Sequence, residues 1–422
     1  MARLQQIAVR NFGPLTEIST EPADITIIVG RNNTGKTAFL EAVVLLAAAP
    51  SRFRDALDTP ALPNILSRRY PYIVNKTSEK PYAEIEGTID KVDIKIKIFQ
   101  EPRGDEEIWD ILAHIDEMIE IPDSILRQLY EEHGVFNKYF KTFDYFREII
   151  LKISYDIIAN MMLKNPIITV HADKSSLTLP LMSSDPFRFS TPDIAYQIAE
   201  RLERMMKIPK DTFTPSHRSI VEIAHAISPY ITEAVQKVGQ KLEELQLPAS
   251  LKVADFVTKR MLKPENLGPL EQIQLVEEIR KIVNYVVDIR EEHVVLQHEN
   301  QRVAVPLELM GSGFRALIDM LILAVKRVDL AVIDEPELHM HPGYLRRTAE
   351  LMLTAPTQFI AATQSLEFIR YLLKKAKRRN DLHRIKLLRL YRLPEGYIDY
   401  EELSGETAWL HLTKLKNDLR GP

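Results

Sequence analysis

Lys36 and Thr37 close the stretch Gly30-Arg31-Asn32-Asn33-Thr34-Gly35-Lys36-Thr37, which satisfies G-x-x-x-x-G-K-[ST] at every fixed position. Residue types at that spacing do one kind of chemistry. Glycines let successive backbone N–H groups curl around a phosphate, and a helix beginning there adds its positive dipole end. The backbone from Gly30 to Ala38 is therefore expected to cradle the phosphates of a nucleoside triphosphate. Lys36 is expected to reach the β- and γ-phosphates, and the Thr37 hydroxyl to ligate Mg²⁺. A glycine turn before a helix is common without any ligand. Here, however, the β-branched run Ile25 to Val29 reads as a strand and Thr34 to Ala49 as a helix, where the motif requires them.

A second set of candidates lies about three hundred residues downstream, in "DLAVIDEPELHMHP", Asp329 to Pro342. An apolar strand ending in Asp334 and Glu335 suits an acidic group beside a metal, Asp334, followed by one able to polarise an attacking water, Glu335. A strand followed by an acidic turn is the plainer reading. Upstream, Gly311-Ser312-Gly313 precedes an apolar helix, a second helix N-terminus suited to an anion. One γ-phosphate with two such helix ends is explained economically by a dimer in which this loop meets the nucleotide held by the partner. A turn that merely starts a helix is the alternative. His339 and His341 read either as a metal pair or, with no further ligand cluster visible, as one loop and one packed histidine.

The elements that must position these groups can be read along the chain. Ala83 to Phe99 alternates apolar and polar with a break near Asp90, a hairpin with one buried face. From about Gly104 the pattern turns helical, with a helix start at Thr191-Pro192. The stripe Ile227, Ile231, Ala234, Val238 and Leu242 is short for a coiled-coil arm and reads as core packing. Strands return at Val286 and lead into the glycine-serine loop. The expected division is 1–103, 104–285 and 286–422, with the helical middle inserted between the two halves of an α/β domain. The 422 residues are 45% hydrophobic and 27% charged, the balance of a folded globular protein, and the formal net charge is −4. No run approaches a membrane span and no secretory core opens the chain, so a cytoplasmic protein without membrane contact is expected. Cysteine is absent, which excludes disulfides, thiolate metal sites and thiol nucleophiles.

The phosphate loop, the glycine-serine loop, "VIDEPELHMHP" and the later "FIAATQSLEFI" stand in the order and context of an ABC-type ATPase head. The chain resembles the non-transporter branch: structural-maintenance-of-chromosomes, RecF-like and overcoming-lysogenisation-defect (OLD) ATPases. "LQQIAVRNFGPLTEI" resembles that branch's first strands, and "FTPSHRSI" a segment of its OLD-like members. The resemblance implies a mixed β-sheet with a phosphate-loop core, an antiparallel β subdomain and an inserted mainly helical domain. It also implies ATP and Mg²⁺ as ligands, and two heads closing on two ATP molecules, each facing the other's Gly311-Ser312-Gly313. Glu337-Leu338-His339 falls at the branch's D-loop, and DNA or a separate protein effector becomes a candidate partner.

The chain departs from that pattern in three places. The family's serine usually precedes two glycines, whereas here Ser312 lies between them. The glutamine-bearing loop has only Gln100 as a candidate. Where the family carries a switch histidine this chain has Gln364, which can orient water but cannot carry a proton's charge. Turnover limited by the chemical step is the expectation. No Asp-x-Asp follows Gln364, so the metal-dependent nuclease domain of OLD proteins is not expected. The basic run Lys374 to Arg379 reads as a helix C-terminus or as a contact to nucleic acid.

Overall fold

The computed structural model describes residues 2–49, 65, 68–69, 72–77, 80–99, 119–133, 139–163, 167–172, 175–180, 191–208, 215–244, 251–256, 267–290, 293–299 and 301–420. Gln100 and the first residues of "FTPSHRSI", 213–214, lie outside them. The chain divides into two compact units: Met1–Lys97 with His171–Lys174 and Leu247–Pro422, and Ile98–Val170 with Ser175–Gln246.

The first unit opens with β1 (Leu4–Arg10), β2 (Glu17–Thr20), β3 (Ile25–Val29) and α1 (Lys36–Ala48), followed by β4 (Tyr82–Ile89) and β5 (Val92–Phe99). β4 and β5 form the expected hairpin, turned by Asp90 and Lys91 at φ 46° and 72°, the left-handed pair a two-residue turn demands. β2, β1, β4 and β5 are neighbours in one sheet. On it Arg10 donates to Glu17, Glu84 and Glu86.

The second unit holds α2 (Asp123–Glu132), α3 (Phe143–Leu163), most of β6 (Ile167–Ala172), β7 (Ser175–Pro180), α4 (Thr191–Met206) and α5 (Pro215–Glu244). α4 starts at Thr191, as its Thr-Pro pair indicates, and packs along α5. Ile227, Ile231 and Ala234 of the α5 stripe are buried; the side chains of Val238 and Leu242 lie outside the described set.

The chain re-enters the first unit through β8 (Val253–Phe256) and α6 (Pro269–Arg280). An antiparallel sheet of β9 (Val286–Arg290), β10 (His293–His298) and β11 (Gln301–Pro306) follows. Then come α7 (Ser312–Lys326), β12 (Leu330–Asp334), α8 (Pro342–Thr354), β13 (Gln358–Ala362), α9 (Leu366–Arg379), β14 (Ile385–Arg392), β15 (Ile398–Ser404) and α10 (Gly405–Leu410). β8 is four residues whose partner β12 is far away in the chain, so no local periodicity announces it.

The central sheet runs β15-β14-β3-β13-β12-β8. β14, β3, β13, β12 and β8 are mutually parallel, and β15 closes the edge antiparallel. Every residue of β3 and β13 is buried, the continuous apolar pattern of strands covered on both faces. All of α1 except Thr37 is buried too. The fold is α/β, a mixed sheet with a phosphate-loop core beside an antiparallel β subdomain. Gln358, at the start of β13, accepts from the Leu4 N–H and donates to the Leu4 and Ala23 carbonyls at 3.0, 3.0 and 3.2 Å. One buried amide thereby joins the parallel sheet to the antiparallel one.

Candidate functional site

Parallel strands end on a common edge, so the residues just after β3, β12 and β13 meet there. The loop after β3 takes the conformation the motif needs, with Asn33 at φ 61° and Gly35 at φ 83°. The positive φ is what calls for glycine at Gly35, and a Cβ there would also press on Leu15 Cδ2 at 2.4 Å. Thr34 Oγ1 donates to the Arg31 carbonyl at 2.8 Å. From outside, Arg392 donates to the Asn33 carbonyl at 2.9 Å and to Gly396 at 2.6 Å. The first helical bond of α1 is Phe39 N–H to Gly35 O, which leaves the N–H groups of Lys36, Thr37 and Ala38 without an intrahelical acceptor.

Lys36 Nζ donates to the carbonyls of Gly30 and Arg31 at 2.9 and 2.8 Å, folding back over the loop. Burial holds its ammonium below the ordinary lysine value, against the raising pull of the Asp334, Glu335 and Glu337 carboxylates. A cation desolvated in this way gains from an added anion. Thr37 Oγ1 donates to Asp334 Oδ2 at 2.7 Å. Two hard oxygens from distant parts of the chain therefore share one point, a donor set that fits Mg²⁺ held with phosphate and water.

Glu335 follows β12 in the left-handed region at φ 53°, a conformation that costs a non-glycine residue free energy. Its N–H is held by the Ala362 carbonyl at 2.8 Å. Gln364 Nε2 donates to Glu335 Oε1 at 3.1 Å, so the residue read as a switch lies directly on the one read as activating water. Glu337 adds a contact the sequence did not announce, its Oε1 accepting from the N–H groups of Gln364 and Ser365, each at 3.1 Å. Burial pushes the Glu337 carboxyl above its ordinary value, more than the nearby Thr363 hydroxyl and those N–H groups pull it down. Arg420 Nη1 donates to the Gln364 carbonyl at 3.3 Å. Asp418 orients that guanidinium and is itself lowered to about 2, chiefly by the Arg420 hydrogen bond.

The glycine-serine loop begins α7, with Gly311 as N-cap. Nothing lies within 4 Å of a Cβ placed on Gly311, whereas one on Gly313 would meet the His339 carbonyl oxygen at 2.5 Å. Gly313 is thus demanded by packing within the chain and Gly311 is not. Ser312 is exposed. It lines a cavity of about 300 Å³ together with Arg315, Asp319, Asp334, Glu335 and His339. His341 Nδ1 accepts from the Gly343 N–H at 3.2 Å and caps α8, and His339 is exposed at φ 63°. Among the described residues no group of three His, Cys, Asp or Glu is placed to hold a metal.

Lys36, Thr37, Asp334, Glu335 and Gln364 therefore converge, and Ser312 of the glycine-serine loop shares a cavity with Asp334 and Glu335. Sequence reasoning placed Glu337 at the D-loop without its contact to Gln364 and Ser365, and it missed Arg392 and Arg420. Each of these contacts joins a charged side chain to a backbone group distant in sequence, so no motif marks it. Among the described residues no helix is long and apolar enough to cross a membrane.

The family model described as an AAA ATPase domain matches residues 3–369. No curated protein matches the sequence. Among solved structures, the chain is similar to a Smc head domain with an extended coiled coil bound to the C-terminal domain of ScpA, from Pyrococcus furiosus. That likeness has 12% identity and a TM-score of 0.45 over 99% of this chain and 100% of that one. It is also similar to the SMC head domain from Thermotoga maritima, at 11% identity and a TM-score of 0.39 over 95% and 99% of the two chains. With the family model spanning most of its length, the chain belongs to the AAA ATPase domain family.

Proposed function

We propose that this chain binds ATP with Mg²⁺ and hydrolyses it slowly, and that two copies close around two nucleotides and open on hydrolysis. The observation that carries the reading is the meeting of Thr37 with Asp334 at 2.7 Å, on the edge where Lys36, Glu335 and Gln364 also gather. Thr37 and Asp334 hold the metal, which supplies charge neutralisation to the phosphates when bound. Lys36 and the N–H groups of the loop hold the triphosphate, Glu335 orients and deprotonates water, and Gln364 fixes Glu335. Each copy offers Gly311-Ser312-Gly313 to its partner's nucleotide; the open space over Gly311 supports that role. Membership in an ATPase family supports the chemistry. By resemblance, the work is cytoplasmic and on DNA, in chromosome maintenance or defence.

A second reading, a nucleotide-gated module that docks a protein effector with little hydrolysis, draws on one observation. The Gln364 amide already occupies Glu335 Oε1, which leaves that oxygen less free to take a proton from water. Light scattering of Glu335→Gln with and without Mg-ATP tests the main reading. A monomer that becomes a dimer only with ATP supports it; a mass that ignores ATP removes ATP as the glue. Turnover stimulated by DNA and abolished in Lys36→Ala would dismiss the pure binding module.

A further inference from the structure

Glu337 is bound more tightly into the structure than its place in a turn requires. The chain leaves β12 through Glu335, turns with Leu338 N–H on the Glu335 carbonyl and Met340 N–H on that of Glu337, and sends the Glu337 side chain back to the end of β13. There one oxygen takes the N–H groups of Gln364 and Ser365. Capping α9 does not explain this. Ser365 Oγ already accepts from the Phe368 N–H at 3.1 Å, and Thr363 Oγ1 already accepts from the Ser365 N–H at 2.9 Å. The Gln364 N–H is the group that Glu337 alone serves.

The arrangement is also costly. Glu337 Oε2 is buried without a hydrogen bond, and a buried acceptor left unsatisfied is expensive. A shorter polar residue would cap a helix at less cost. With its N–H on Glu337 and its carbonyl on Arg420, Gln364 has its backbone held on both sides, and its amide is directed to Glu335. The same turn carries the His339 carbonyl against which Gly313 packs.

We propose that Glu337 is a positioning residue for ATP hydrolysis, acting through Gln364: it fixes the backbone at Gln364 so that the side-chain amide meets Glu335. This rests on the reading of Glu335 as the group that activates water.

The test is a double-mutant cycle of Glu337→Ala with Gln364→Ala, with Glu337→Gln as the conservative variant, read as steady-state Mg-ATP turnover. Glu337→Gln keeps a carbonyl acceptor and should stay within about twofold of wild-type kcat, whereas Glu337→Ala should lose about tenfold with KM unchanged. In the Gln364→Ala background, Glu337→Ala should cost nothing further. An equal loss in both backgrounds overturns the route through Gln364. Amide hydrogen exchange of the peptide carrying Gln364 and Ser365, without nucleotide, gives an independent reading. It should speed up in Glu337→Ala and not in Glu337→Gln, and unchanged exchange overturns the proposal. A wild-type chain with no turnover dependent on Lys36 would sink the functional reading and, with it, the role in hydrolysis. Exchange would then report only whether Glu337 holds the segment.

Discussion

The two glycines of the Gly311-Ser312-Gly313 loop separate what the fold requires from what a partner would require. At Gly313 a methyl group would stand 2.5 Å from the His339 carbonyl oxygen, a backbone atom that cannot swing away. Overpacking of that kind costs about 1–3 kcal/mol, and alanine returns up to about 1 kcal/mol of helix propensity. Gly313→Ala should therefore lose roughly 1–2 kcal/mol, a fall in Tm of about 1–3 °C for a chain of this size. At Gly311, φ −56° and ψ 142° suit any residue, and a new side chain meets open space. Gly311→Asn supplies a preferred N-cap and should hold Tm or raise it by about 1 °C. Thermal unfolding of the two variants tests this directly. If Gly311→Asn falls as far as Gly313→Ala, the space over Gly311 is not open. The same substitution in the Glu335→Gln background, measured by light scattering with Mg-ATP, should abolish dimerisation without loss of stability. A dimer that persists would refute the placement of this loop on the partner's nucleotide.

Gln358→Leu should orphan the Leu4 N–H and the Leu4 and Ala23 carbonyls, costing about 3 kcal/mol in chemical denaturation; a loss below about 1 kcal/mol would show that the joint between the sheets is not held there. Arg392→Met removes the clamp on the Asn33 carbonyl and should raise the KM for ATP about fivefold with kcat nearly unchanged. Gln364→His should raise turnover about threefold by placing a chargeable donor beside Glu335, and a fast wild type slowed by the change would contradict the chemical-step limit. Glu41 is buried against Arg69, and burial raises its carboxyl above the ordinary value more than Arg69 lowers it. Its proton is held more tightly in the folded state, so its contribution is full below the ordinary carboxylate range and is lost as pH rises through the raised value. The Tm of wild type minus that of Glu41→Gln should therefore shrink from about pH 4 upward, and a difference that grows would give the dominant role to the ion pair.

Legibility followed the range of the interactions. The phosphate loop and the end of β12 could be read because each compresses strand, turn and polar residue into about a dozen positions, and strand and helix periods are local properties. The β4–β5 turn was legible as a polar break although Asp90-Lys91 is not a standard turn pair, because the alternation on both sides left only one place for it. β8 was hidden for the opposite reason, since four residues carry no usable period and their status as a strand depends on β12. Gln358, Arg392 and Arg420 were hidden likewise, and so was the bond of Glu337 to the Gln364 N–H. A polar side chain bonded to a distant backbone group leaves no trace in its own neighbourhood.

What joins the legible halves into one site is register. Asp334 pairs with Ala362, and Ala362 pairs with Ile28, so the three strands deliver Asp334, Thr363 and the phosphate loop to one level. Side chains on a strand alternate, so a slip of one residue between β12 and β13 would turn Asp334 to the opposite face and part it from Thr37. It would also carry Glu335 away from the Ala362 carbonyl that holds its N–H. At the other end of β13, the Gln358 amide grips both backbone groups of Leu4 and the Ala23 carbonyl, two residues before β3, and so ties β13 to the segment that leads into the phosphate-loop strand. A glutamine far from the nucleotide thus bears on the distance between Thr37 and Asp334. Loss of stability and loss of metal-dependent ATP binding should accordingly appear together in Gln358→Leu, whereas Arg392→Met should weaken ATP binding alone.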